Sequence, residues 1–67
     1  MQLKVNGEEI QIKSNPSIYT FLTEEKKLKP EHVVVEYNGS ILKREKWEVT
    51  QLKNNDILEI VSFVGGG

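Results

Sequence analysis

Gly65, Gly66 and Gly67 end this 67-residue chain on a carboxylate whose α-carbon bears no side chain. A free α-carboxyl titrates at about 3.3–3.7, so near neutrality it is an ion and a poor electrophile. It becomes reactive only when activated, most simply by attacking ATP to give an acyl adenylate. Sulfur can then displace AMP and leave a thiocarboxylate. Glycine suits such a terminus because a backbone without Cβ can enter a channel too narrow for other residues. Residues 64–67, fully extended, would reach about 13–14 Å, enough to carry the carboxylate into another protein's active site. The competing reading of terminal glycines is a frayed end or a cloning remnant. Here they directly follow a strand-like segment, which favours the chemical reading.

The other side chains offer little chemistry. There is no cysteine and a single histidine, His32, so neither a thiolate nucleophile nor a histidine-rich metal site is available. His32 reads as a surface or capping residue. Glu24 and Glu25 are neighbours in a helical pattern, so they diverge and cannot work as an acid–base pair. No residue is expected to be catalytic, no metal or cofactor is expected to be bound, and the chain is not expected to be an enzyme. The formal charge of −1, from 9 basic and 10 acidic residues, argues against a general nucleic-acid binder. No run approaches the roughly 20 apolar residues that cross a bilayer. The expectation is a cytoplasmic protein that engages neither membrane nor nucleic acid.

The elements that must position the terminus are legible from periodicity. Residues 1–5 alternate, with Met1, Leu3 and Val5 on one face. Asn6-Gly7 then favours a tight type I′ turn into a second strand, with Ile10 and Ile12 facing inward. Pro16 interrupts the ladder. Ser17 is a good helix N-cap, with Asn15 before Pro16 as the competitor. Ile18, Phe21, Leu22 and Leu28 form the helix's apolar stripe, which Lys29-Pro30 is expected to end. Val33 to Tyr37 is a β-branched strand, Asn38-Gly39 repeats the hairpin turn, and Ser40, Ile41 and Leu42 return. Residues 43–50 have no clean period and read as an irregular loop or a short turn of helix, anchored by Trp47, with Leu52 docking a second loop. Asp56 reads as a turn former ahead of the last strand, residues 57–64. This order, ββαβββ in one domain, predicts an α+β fold with one helix covering one face of one sheet.

At period two, Leu58 and Ile60 on the last strand would face the helix, leaving Ile57, Glu59, Val61 and Phe63 outward. Val34 would join them from the neighbouring strand. This apolar group on an uncovered face is a candidate partner-docking patch. Phe63 has an alternative, folding over the sheet edge to cap the core. Trp47 reads as a packing residue rather than a recognition residue. Lys43, Arg44 and Lys46 read as a solvated basic loop.

The whole chain resembles the thiamine-biosynthesis sulfur carrier (ThiS) family. The resemblance rests on the opening strand with Asn6 at its turn, Tyr37-Asn38-Gly39, Arg44-Glu45-Lys46-Trp47, Asp56 opening the last strand, and Val64-Gly65-Gly66-Gly67. The length suits this family better than the longer molybdopterin-synthase small subunit. A third glycine, Gly65, stands where relatives vary. The resemblance implies a ubiquitin-like β-grasp, a mixed sheet of four to five strands packed on a single helix, with the last strand parallel to the first in the middle. Residues 1–64 would form this domain and residues 65–67 a flexible tail. The resemblance also implies a cycle. A ubiquitin-activating-like adenylating enzyme uses ATP on Gly67, and a cysteine desulfurase relay supplies sulfur. Thiazole synthase then takes sulfur from the Gly67 thiocarboxylate, with Gly65 and Gly66 threading into the partner sites. The nearest rival is a carrier of the same fold serving molybdopterin, cysteine or tRNA thiolation.

Overall fold

Both Asn-Gly pairs fold as tight hairpin turns with left-handed backbone at both central positions. Asn6 and Gly7 have φ of 50° and 84°, and Asn38 and Gly39 have 50° and 93°. The first turn joins β1 (Gln2–Val5) to β2 (Glu8–Gln11), and the second joins β3 (Val33–Tyr37) to β4 (Ser40–Ile41). β5 (Asp56–Ser62) completes a five-stranded sheet of order β2-β1-β5-β3-β4. β5 runs parallel to β1 and antiparallel to β3, so it is the central strand. The computed structural model describes residues 1–63. The expectations placed on Val64 and on Gly65, Gly66 and Gly67 lie outside them.

A single helical run crosses one face of the sheet. It begins as α1 (Ile18–Thr20) and continues without a break as a wider turn, Phe21–Glu25, in which the Lys26 N–H donates to the Phe21 carbonyl at 3.0 Å. Ser17 is the N-cap: its hydroxyl oxygen accepts the Thr20 N–H at 3.1 Å. The other free donors of the first turn find carbonyls on the loop that has no clean period. Ile18 N–H donates to Thr50 at 2.9 Å and Tyr19 N–H to Trp47 at 3.1 Å. The loop is therefore part of the helix's capping.

The helix ends earlier than the sequence suggests. Lys26 is its C-cap and Lys27 is left-handed, with φ of 59°. This turns the chain so that the Leu28 N–H reaches the Leu22 carbonyl at 2.9 Å, one residue further back than a Schellman closure would reach, as the wider helical turn before it requires. Lys29-Pro30 instead begins a 3₁₀ turn, Pro30–His32, leading into β3.

The core lies between the helix and the sheet. It comprises Leu3, Val5, Ile18, Phe21, Leu22, Val33, Val35, Trp47, Leu52 and Leu58, with Leu28 and Ile60 packed against it. Trp47 is buried and its indole N–H donates to the Leu42 carbonyl at 3.0 Å, so it anchors the loop as a packing residue. No helix among the described residues is long and apolar enough to cross a membrane.

Candidate functional site: the uncovered face of the sheet

β5 holds the expected parity. Asp56 and Leu58 are buried, whereas Ile57, Glu59 and Val61 are exposed. On β3, Val33 and Val35 are buried, while Val34 and Glu36 are exposed. The outward apolar groups are large for exposed positions: Val61 is 60% exposed, Ile57 46% and Val34 42%. Val34 and Val61 are direct cross-strand partners. The structure thus brings Val34, Ile57 and Val61 together on one face, opposite the helix.

Phe63 is placed differently. It follows β5, and its N–H donates to the His32 carbonyl at 2.8 Å. It lines an edge groove of about 340 Å³ with Leu28, Lys29, His32 and Val33, and remains 46% exposed. Leu28 and Val33 belong to the core side, so Phe63 stands at the rim where the two faces meet. His32 lines the same groove. No cluster of metal-binding side chains occurs among the described residues.

Sequence reasoning did not place Ile41 on this face. The register pairs Glu36 with Ile41, which puts Ile41, 68% exposed, on the outward side. The two-residue hairpin at Asn38-Gly39 carried that information, because its loop length sets Tyr37 opposite Ser40 and therefore Glu36 opposite Ile41.

The central strand is fastened by side chains also assigned simpler roles. The Asn6 amide pairs with the Ile60 backbone, its Oδ1 accepting the N–H at 2.7 Å and its Nδ2 donating to the carbonyl at 3.2 Å. Asn38 Oδ1 accepts the Ile57 N–H at 2.8 Å. Both asparagines therefore turn a hairpin and extend the ladder of β5 beyond the end of a neighbouring strand. Asp56, read from sequence as a turn former, is buried and does more. It accepts the Lys53 N–H at 2.7 Å, the Tyr37 hydroxyl at 2.6 Å and Asn38 Nδ2 at 3.1 Å. Burial by itself would push the Asp56 carboxyl up. The hydrogen bonds from Tyr37, Lys53 and Asn38, with the Lys53 charge, outweigh it and hold the carboxyl below its ordinary value. Burial and the adjacent Asp56 push the Tyr37 phenol up from 10.0 to about 12.

A mixed sheet with a parallel central pair, packed on one helix and flanked by two hairpins, is the ubiquitin-like β-grasp. Within that class the ThiS family model matches residues 2–67. The chain is 34% identical over 65 residues to the sulfur carrier protein ThiS of Bacillus subtilis, covering 97% of this chain and 98% of that one. The crystal structure of the thiamine biosynthesis protein ThiS from Geobacter metallireducens superposes with a TM-score of 0.82 at 35% identity, covering both chains completely. The solution structure of a thiamine biosynthesis protein from the same organism gives 0.77 at 35% identity, covering 100% of this chain and 88% of that one. The chain belongs to the ThiS family.

Proposed function

We propose that this protein is a sulfur carrier in thiamine biosynthesis and that Gly67 is its one modified residue. The observation that carries the reading is the family match, which runs through the terminal glycines. In this reading an adenylating enzyme related to ubiquitin-activating enzymes uses ATP to form the Gly67 acyl adenylate. A cysteine desulfurase relay delivers a persulfide sulfur that displaces AMP, a thiol reductant cleaves the resulting S–S bond, and thiazole synthase accepts the sulfur from the thiocarboxylate in the cytoplasm. The carrier itself is a substrate and shuttle, with no cofactor of its own. The absence of any cysteine supports this, since the sulfur must come from outside. The exposed group Val34, Ile57 and Val61 serves as the docking surface, with Phe63 at its rim, while Gly65 and Gly66 thread into the partner's site.

The test is intact-mass measurement after incubation with the adenylating enzyme, ATP and a sulfur source. The expected result is the gain from exchanging one oxygen for one sulfur at Gly67, with the product competent to feed thiazole synthase. Deleting Gly67, or adding one uncleaved residue after it, should abolish the gain while the domain stays folded. Sulfur gain by the extended chain would overturn the reading.

A further inference from the structure

The uncovered face has a defect in the middle. Glu36 and Glu59 are direct cross-strand partners on β3 and β5, and both are exposed. Side chains in such a position have Cβ atoms about 4.5–5.5 Å apart, and like charges there are unfavourable. Four apolar side chains frame the pair. Val34 and Val61 lie two residues away on one side, Ile57 lies two residues away along β5, and Ile41 is the cross-strand neighbour of Glu36 on β4. Two lysines are equally near by register. Lys43 follows Leu42, whose N–H bonds to Val35, so it lies across from Val34 and one diagonal from Glu36. The other is Lys4. It sits opposite Glu9 on β2 and beside Ile57 on β5, one diagonal from Glu59. The free protein thus carries two carboxylates side by side, flanked by four apolar side chains, with no lysine directly opposite either of them. A local arrangement that costs stability marks a position answering to something other than folding.

We infer that this face docks a partner protein that inserts a basic side chain, best an arginine, between Glu36 and Glu59, with apolar groups around it meeting Val34, Ile41, Ile57 and Val61. The inference rests on the docking face proposed above and adds the partner's chemistry. A guanidinium presents several donors in one plane, so a single group can satisfy both carboxylates at once. Burial of the flanking apolar groups removes water from that contact and strengthens it. The pair also selects against a second copy of this chain, since two such faces stacked about a common axis would bring four carboxylates together.

The experiment measures binding of the purified adenylating enzyme, at low and moderate salt, to the native chain and to Glu36→Gln, Glu59→Gln, the double variant and Val61→Ser. Thermal midpoints of the free proteins are recorded alongside. The glutamine variants should each bind roughly tenfold more weakly at low salt. The double variant should lose most of the native salt dependence. Relief of repulsion should raise its thermal midpoint by roughly 1–5 °C. Opposite signs for binding and stability would separate a recognition role from a structural one. If Val61→Ser weakens binding while the glutamine variants bind as the native chain does, the docking face stands and the basic contact is wrong. If no substitution matters, or the native chain does not bind, both ideas fall. Tighter binding by either glutamine variant than by the native chain, or self-association through this face, would also overturn the inference.

Discussion

The two faces of the sheet are made from the same strands and differ by one residue of phase. On the covered face, Leu3, Val5, Val35 and Leu58 meet the helix and are almost wholly buried. On the other, Val34, Ile57 and Val61 are of similar size and equally apolar, yet close to half or more of each is exposed. Composition does not separate the two sets. What separates them is that one helical run can cover only one face. The same kind of side chain therefore acts as structure on one face and as available surface on the other.

The sharpest way to break this comparison is to put the same charge on each face. Leu58→Asp should unfold the domain, because it buries an unpaired carboxylate in a core that contributes only about 3–5 kcal/mol. Val61→Asp should cost about 1 kcal/mol, since its carboxylate stays hydrated. Circular dichroism with urea titration checks both. A folded Leu58→Asp beside an unfolded Val61→Asp would mean that the faces are reversed. Val61→Asp should also weaken binding to the adenylating enzyme and to thiazole synthase by about 2 kcal/mol or more.

A smaller effect tests whether the polar end of the covered face behaves as core. Asp56→Ala leaves the Tyr37 hydroxyl, the Lys53 N–H and Asn38 Nδ2 without their acceptor. The expected loss is about 1–3 kcal/mol by denaturant unfolding. An exposed change such as Glu48→Ala should move stability by no more than about 0.5 kcal/mol.

The same network sets two pH dependences. Folding lowers the Asp56 carboxyl below 3.8, so its contribution is complete above that value and fades as pH falls through the folded pKa. Folding raises the Tyr37 phenol to about 12, so its contribution is complete below 10.0 and is lost as pH rises toward 12. Thermal midpoints should therefore fall at both extremes. The alkaline fall should vanish in Tyr37→Phe. In a Tyr19→Phe background the remaining phenol should ionise at about 12 by ultraviolet absorbance.

A small effect of opposite sign lies at the rim between the faces, where Lys27 holds a left-handed conformation that penalises any side chain with a Cβ. Lys27→Gly should stabilise the protein by about 0.5–1 kcal/mol, read as a modest rise in thermal midpoint. A fall would mean that the lysine side chain contributes contacts outweighing the strain.

The sequence alone was enough for whatever repeats over a few residues. Strand alternation assigned Leu58 and Val61 to opposite faces, the Asn-Gly pairs placed both hairpins, and the stripe of Ile18, Phe21 and Leu22 marked the helix. Each depends on local geometry with a fixed period. The terminal glycines likewise suggested their chemistry by residue type alone. Tertiary structure decided what depends on segments far apart in the chain. Asn6 reaches Ile60 across 54 positions, and Tyr37 meets Asp56 across 19. The helix's early end rests on the left-handed turn at Lys27, in a lysine-rich stretch with no glycine to announce it. The pairing of Glu36 with Glu59 depends on the register between β3 and β5, which the intervening loops and the packed core select together. Periodicity says which face a residue occupies; only the assembled sheet says who its neighbour is.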